Sequence, residues 1–329
     1  MPEFRQDIVT GDWVIMAQDR AHRPYDHGGS SSVCPFCPEN EEHTPPAILT
    51  VGDAAGWSVR IVANKYPALT PEGEAIEGRV GLHATLAGVG FHEVVVESPE
   101  HNSGLTTYTV EHLAKVVAAW AERHNQLGQD PRIHYVQILR NHGRRAGASR
   151  EHPHSQIMAM PFVPDRVRAE LERAHSYTSS HGTCLCCDMI RDELAAGTRV
   201  VTADADFVAL APFAPKMPFE TWILPMRHQA SFGQLDSDSA TALARVLGIV
   251  AKALDAVAGE PPHNLVLRTA PTPAAADDWA RSRDSYHWRL EIVPRLSTPA
   301  GFEMGTGVFV NVSTPEDAAR CMRTAVRGV

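Results

Sequence analysis

Apolar and polar residues alternate with period two over residues 13–17, 92–97, 133–139, 156–160, 221–224, 264–268 and 288–293. Successive side chains on a pleated strand face opposite ways, so these segments predict half-buried strands. A 3.6-residue rhythm over 110–126, 164–176, 240–257 and 315–327 predicts amphipathic helices. The last of these opens on Thr314, Pro315 and Glu316. That is a side-chain cap followed by a proline at a position whose N–H has no helical partner anyway. Residues 27–32, His-Gly-Gly-Ser-Ser-Ser, read as a flexible linker, and 271–276 as a second loop. Helices follow groups of strands instead of alternating with them. The expected class is therefore α+β, a mainly antiparallel sheet flanked by helices.

The patterned segments run through the same sequence of landmarks twice. Cys34-Pro35-Phe36-Cys37 is followed by a strand ending Ser98-Pro99-Glu100-His101. His152-Pro153-His154-Ser155-Gln156 then enters another strand. In the second pass Cys184-Leu185-Cys186-Cys187 is followed by Pro225-Met226-Arg227-His228, and then by Tyr286-His287-Trp288-Arg289-Leu290-Glu291. The 329 residues thus divide into two related halves, 1–165 and 166–329, in place of the two unrelated domains that length alone suggests.

Composition narrows the function. Thirty basic and 39 acidic residues give a formal net charge of -9, which argues against binding a nucleic-acid backbone. There is no run of about 18 apolar residues, hence no expected membrane helix. The start Met1-Pro2-Glu3-Phe4-Arg5-Gln6-Asp7 has neither a basic nor an apolar region, so no signal peptide is expected. A reducing cytoplasm follows, in which six cysteines serve better as metal ligands or thiols than as disulfides. Cys321, alone in a helical stretch, is expected to be buried as an apolar residue.

Each half carries the donors for one Zn²⁺ ion, a tetrahedral cation that takes thiolate and imidazole ligands. The expected sets are Cys34, Cys37, His101 and His152, and Cys184, Cys187, His228 and His287. Cys186 is an alternative thiolate in the second set. Glu170 is an alternative oxygen ligand if that metal is not zinc.

The chemistry concentrates in Asn141–Gln156. On a strand His152, His154 and Gln156 point the same way. Upstream lies a loop rich in Gly, Ser and Arg, residue types that bring backbone N–H groups and guanidinium forks to phosphate oxygens. An imidazole facing such a loop is neutral near pH 7 and can attack phosphorus, giving a covalent nucleotidyl-histidine.

The pattern Asn141-x-Gly143-x-x-x-Gly147-x-Ser149-x-x-His152-Pro153-His154-x-Gln156 resembles the signature of the galactose-1-phosphate uridylyltransferase family, a branch of the histidine-triad superfamily. The resemblance spans nearly the whole chain. It includes Thr10–Val14 with Asp19–Pro24, the first Cys pair with Thr44-Pro45-Pro46, Asn64–Leu69, and Gly301–Met304. It implies two histidine-triad-like halves, with His154 as nucleophile and His152 as a zinc ligand. Gln156 then donates to the phosphoryl oxygen without shuttling a proton. The resemblance puts Asn141, Gly147 and Ser149 on the diphosphate, Asn64 on the nucleoside and Glu303 on the hexose. Arg20 and Arg23 match arginines that reach a phosphate across a homodimer interface. Aligning His152 with His287 sets Arg289 against His154, so only the first half is expected to react.

The segment after Pro294 lacks the lysine and later glutamine that uridylyltransferases use on the hexose phosphate. Phe309 stands near the glutamine's place, and Lys65 stands where an aspartate is common. Over the run His287-Trp288, Ile292-Val293-Pro294, Gly301-Phe302-Glu303 and Gly305-Thr306-Gly307 the chain looks closer to ADP-glucose phosphorylases. The expected substrates are a nucleotide sugar with a hexose 1-phosphate or phosphate. UDP-glucose with galactose 1-phosphate is the first expectation and ADP-glucose with phosphate the second. A nucleotide-binding zinc protein without turnover is the alternative of another class.

Overall fold

The computed structural model describes residues 2–22, 33–54 and 56–327. Its strands are β1 (Glu3–Gln6), β2 (Trp13–Met16), β3 (Ala47–Asp53), β4 (Gly56–Ala63), β5 (Glu77–Val80), β6 (His83–Ala87) and β7 (Phe91–Val96). They continue with β8 (Tyr135–His142), β9 (His154–Met160), β10 (Val200–Ala203), β11 (Phe207–Leu210), β12 (Thr221–Pro225), β13 (His263–Arg268) and β14 (Arg289–Pro294). The helices are α1 (Val110–Gly128), α2 (Asp165–His181), α3 (Leu185–Ala196), α4 (Ser237–Ala258), α5 (Ala276–Ser282), α6 (Gly301–Thr306) and α7 (Pro315–Val326).

Ten strands form one sheet in the order β10-β11-β12-β14-β13-β8-β9-β7-β4-β3, and β2-β1-β6-β5 form a second. All strand pairs are antiparallel, as expected for the α+β class. The large sheet is symmetric about the β13–β8 seam. Outward from it run β8, β9, β7, β4, β3 on one side and β13, β14, β12, β11, β10 on the other. One helix precedes each seam strand, α1 before β8 and α4 before β13.

Both helices lie on one face of the sheet. Leu113, Val116, Val117 and Trp120 of α1, with Leu243, Leu247, Val250 and Leu254 of α4, pack against Ile61, Val95, Ile138, Ile157, Leu265 and Ile292. Full burial of each such side chain is worth about 1.5–3 kcal/mol. The 3.6-residue patterns end where the chain supplies caps. Asp236 accepts a hydrogen bond from Ser239 N at α4, and Thr314 accepts one from Asp317 N at α7, the cap the sequence predicts. On β9, Ser155 faces this core and accepts a hydrogen bond from Trp120 Nε1 at 2.7 Å. Alternation then turns His154 and Gln156 to the opposite face.

Some expectations are corrected. His152 lies just before β9 and not on it, and its ring turns toward the first cysteine pair while packing, like His154, against Phe36. The second cysteine pair opens a helix, α3, that the apolar pattern did not mark. Cys321 is half-buried in α7, not fully buried. The linker at 27–32 and Arg23 lie outside the described residues. No helix among the described residues is long and apolar enough to cross a membrane.

Candidate active site

β8 leaves the sheet at His142, turns through a short 3-10 segment at Arg144–Ala146 and returns as β9. The turn closes on Gly147 at φ 85°, a left-handed conformation that a side chain disfavours. Asn264 of β13 braces this loop. Its amide nitrogen donates to Asn141 Oδ1 at 2.7 Å and to Ala146 O at 2.8 Å. Beneath it, Arg140 and Glu97 form a buried ion pair in which Arg140 Nε donates to both carboxylate oxygens, at 3.0 and 3.2 Å. Glu97 N also donates to Pro153 O. The pair therefore ties the strand before the loop to the strand after it. Neither Asn264 nor Glu97 is marked by any sequence motif.

His154 lines a cleft of about 210 Å³ with Phe36, Asn64, Tyr66, Val94, Ser149 and Gln156. Its Nδ1 lies 2.9 Å from His152 O, an acceptor only. Nδ1 thus carries the ring proton and Nε2 the lone pair. Phe36 packs against the ring at 5.5 Å between centroids.

Gln156 is oriented by His92, which sequence reasoning missed. The Ala68 N–H donates to His92 Nδ1 at 3.0 Å, so the proton of that ring sits on Nε2. Nε2 lies 2.9 Å from Gln156 Oε1. The oxygen of the amide is thereby taken up, and its NH₂ is left to donate. Arg20 adjoins the same group, with a guanidinium nitrogen 2.5 Å from Tyr66 O and 3.2 Å from His92 Nδ1. Asn64 Oδ1 accepts from Tyr66 N at 2.9 Å, which fixes the wall of the cleft.

The structure brings together His154, Gln156, Ser149 and Asn64 around the cleft. Asn141 borders an adjoining recess of about 200 Å³ that also includes His154 and Arg150. Glu303 caps α6 by accepting from Ala300 N and does not line the cleft.

Both predicted metal sets assemble, their donor atoms all within 4.8 Å of one another. A tetrahedral cation with bonds of about 2.3 Å to sulfur and 2.0 Å to nitrogen has S···N edges near 3.5 Å and N···N edges near 3.3 Å. Cys34 Sγ to His152 Nδ1 is 3.6 Å, Cys37 Sγ to His101 Nδ1 is 3.5 Å, and the two Nδ1 atoms are 3.4 Å apart. In the second set, Cys187 Sγ is 3.6 Å from Nδ1 of both His228 and His287. The outer ring nitrogens fit as well. His152 Nε2 meets Ser98 O at 2.8 Å, His287 Nε2 meets Pro225 O at 2.9 Å, and His228 Nε2 meets Arg283 O at 3.0 Å. Each contact puts the proton on Nε2 and leaves Nδ1 as the ligand. Burial holds His152 down to about 4, in its neutral, ligating form. Cys186 and Glu170 stand outside the second set. Glu170 instead pairs with Arg289 at 3.1 Å.

Residues 1–164 match the family described as galactose-1-phosphate uridyl transferase, N-terminal domain, and 170–323 match its C-terminal domain. An ADP-glucose phosphorylase of Arabidopsis thaliana is 36% identical over 98% of this chain and 92% of that protein. The crystal structure of an ADP-glucose phosphorylase from that plant, with bound ADP-glucose, superposes with a TM-score of 0.78 at 34% identity, covering 98% of this chain and 99% of the other. A uridylyltransferase structure gives 0.83 at 32% identity, with 99% of both chains covered.

Proposed function

The chain belongs to the galactose-1-phosphate uridyl transferase family, and we propose that it moves a nucleotide between phosphate-bearing groups through a covalent nucleotidyl-His154. The observation that carries this reading is the His154 imidazole. Its Nδ1 proton is held by a backbone carbonyl, so Nε2 is a lone-pair nitrogen on a residue that lines the cleft.

The chemistry is a double displacement. His154 Nε2 attacks the α-phosphorus of a nucleotide sugar, a P–N bond forms, and the P–O bond to the sugar phosphate breaks. Hexose 1-phosphate leaves with the electron pair. Its second ionisation lies near pH 6, so it departs as a dianion and no acid is required. A phosphate oxygen of the acceptor then attacks the same phosphorus, the P–N bond breaks, and the imidazole is restored. The Gln156 NH₂, held by His92, donates to the phosphoryl oxygen. Ser149, Asn141 and the Gly147 loop hold the diphosphate, and Asn64 the nucleoside.

We favour ADP-glucose as donor and inorganic phosphate as acceptor. The 36% identity to ADP-glucose phosphorylase across nearly the full chain supports this choice. So does the absence of the uridylyltransferase lysine and glutamine after Pro294. The second reading is exchange between UDP-glucose and galactose 1-phosphate, favoured by the family description and by the uridylyltransferase fold.

We infer a cytoplasmic homodimer with its reacting half at 1–165. A hexose contact by Glu303 would then have to come from the partner, because α6 of the same chain does not line the cleft. Arg20 would lie near that junction. Zinc suits both Cys₂His₂ sets, and when bound it would cross-link each cysteine turn to its sheet.

Isotope exchange tests the reading. In the absence of phosphate, labelled glucose 1-phosphate should appear in ADP-glucose, because the first half-reaction is reversible by itself. The same assay with UDP-glucose decides between the two donors. No exchange with either donor would leave the non-catalytic nucleotide-binding alternative.

A further inference from the structure

The symmetric sheet carries two clefts, and the reaction uses one. In the first half Gln156 lies opposite Val94, which lies opposite Val62. In the second half Glu291 lies opposite Trp222, which lies opposite Leu210. Two residues upstream, Arg289 takes the place of His154. Between the cysteines, Leu185 and Cys186 take the places of Pro35 and Phe36.

These counterparts again border a cavity. Leu185, Cys186, Trp222, Arg289 and Glu291 of the second half, with Gln137, Leu139 and Asn141 of β8 across the seam, line a space of about 880 Å³, within the range of about 300–1,000 Å³ typical of small-molecule sites. It cannot repeat the covalent chemistry. Arg289 has no nucleophilic lone pair, and its guanidinium is bound to Glu170 at 3.1 Å and Glu291 at 2.8 Å. It lies over the Trp222 ring, 4.6 Å from the centroid.

The charge of the cavity opposes that of the chain. Arg166, Arg173, Lys216, Arg268, Arg289 and Arg295 line it, against the carboxylates Glu170, Glu220 and Glu291. Six cations and three anions leave an excess of three positive charges on a chain whose total is -9. Arg268 and Arg289 are paired with Glu291 and Glu170. Glu220 is engaged by Lys216 N at 2.7 Å and Trp222 Nε1 at 3.0 Å. Arg166, Arg173, Lys216 and Arg295 have no carboxylate within ion-pair distance among the described residues. Arg166, Glu170 and Arg173, spaced four and three apart, share one face of α2. Burial and the nearby Arg166 push the Lys216 ammonium below its usual range, a penalty that a bound anion would relieve.

We propose that this cavity is a second, non-covalent nucleotide site, in which the rim cations hold the phosphates of a nucleoside diphosphate and the Trp222–Arg289 platform meets its base. It retains the cradle of the first half without the nucleophile. Guanidinium forks suit phosphate oxygens, and a locally positive concavity concentrates anions.

The test is equilibrium dialysis of the full-length protein against labelled ADP, at a fixed salt concentration. Arg166→Glu and Arg173→Glu are combined in one variant, since both side chains are exposed and unpaired. The predicted result is that one ADP per chain is lost, its binding weakened at least about tenfold by reversal of two phosphate-facing charges. The yield of label trapped on His154 stays unchanged. Equal ADP stoichiometry in the two proteins overturns the proposal. So does a change in sedimentation coefficient with ADP binding intact, which would show that a second copy covers this face. Failure of the transferase reading is distinct: it removes the His154 adduct and leaves the Arg166- and Arg173-dependent binding in place.

Discussion

The side-chain amide of Asn264 donates to Oδ1 of Asn141 across the seam between the two halves, at 2.7 Å. Since Asn264 also donates to Ala146 O, it fixes both the amide of Asn141 and the loop that follows. With its oxygen occupied, Asn141 can present only its NH₂ to phosphate. The second half of the chain thus supports the first half's chemistry without supplying a reacting atom. Asn264→Ala should lower kcat/KM about tenfold, the worth of one hydrogen bond in a desolvated site. Asn264→Asp should cost more, because a carboxylate cannot donate to Asn141 Oδ1 and repels the anionic substrate. Steady-state kinetics on folded variants provide the comparison. Equal rates for the wild type and the Asp variant would refute the bracing role.

His92 sets the amide of Gln156 in the same way, through its Nε2 contact at 2.9 Å. In His92→Leu that amide is free to rotate. We expect kcat to fall by about 10–100-fold with KM little altered, since the lost donor serves charge that develops in the transition state. A rise in KM at constant kcat would assign His92 to ground-state binding instead.

How far the sequence reveals this site depends on the range of the contacts. His154, Gln156, Ser149 and the glycine loop belong to one continuous stretch, so spacing alone places them together. The metal sets are legible because cysteine pairs and strand-end histidines recur in the same order twice. His92 and Asn264 act 64 and 123 residues away from their partners, and a strand pattern carries no record of such register. The short strands β1, β5 and β6 escaped for a local reason, whereas β2 falls within the predicted segment 13–17. Each of the three is four or five residues long, and β5 is exposed throughout, so no clear alternation marks it. The helices α1, α4 and α7 were legible because each buries one continuous stripe.

The two metal sets should separate by their consequences. Cys184→Ser removes a ligand far from His154, so it should lose one equivalent of metal and lower Tm while adduct formation persists. Cys34→Ser releases His152, whose carbonyl holds the His154 proton, and should lose both metal and adduct. Metal analysis and thermal denaturation of the purified variants give the readout. An unchanged metal content in either variant would contradict the ligand assignment.

His124 supplies a pH dependence away from any metal. It lies in α1, 4% exposed, packed edge-on against Phe232. Burial lowers it from 6.5 to about 4. The folded state therefore favours the neutral ring. The stability this implies is intact above pH 6.5 and is lost as pH falls toward 4, because the unfolded chain binds the proton first. Between pH 7 and pH 5 the loss is about 2 kcal/mol at 1.36 kcal/mol per unit. Urea titrations at the two pH values should show this decrease in the wild type and a smaller one in His124→Phe. An identical decrease in both would remove His124 as its source.

The covalent intermediate is the central claim, and trapping measures it directly. Protein is mixed with ADP-glucose labelled in the adenylate, quenched in alkali, and counted after removal of free nucleotide. We predict close to one acid-labile adenylate per chain in the wild type and none in His154→Gly, with parallel UDP-glucose samples fixing the preferred base. Label that persists in His154→Gly, or no label from either nucleotide sugar in active protein, would contradict the account.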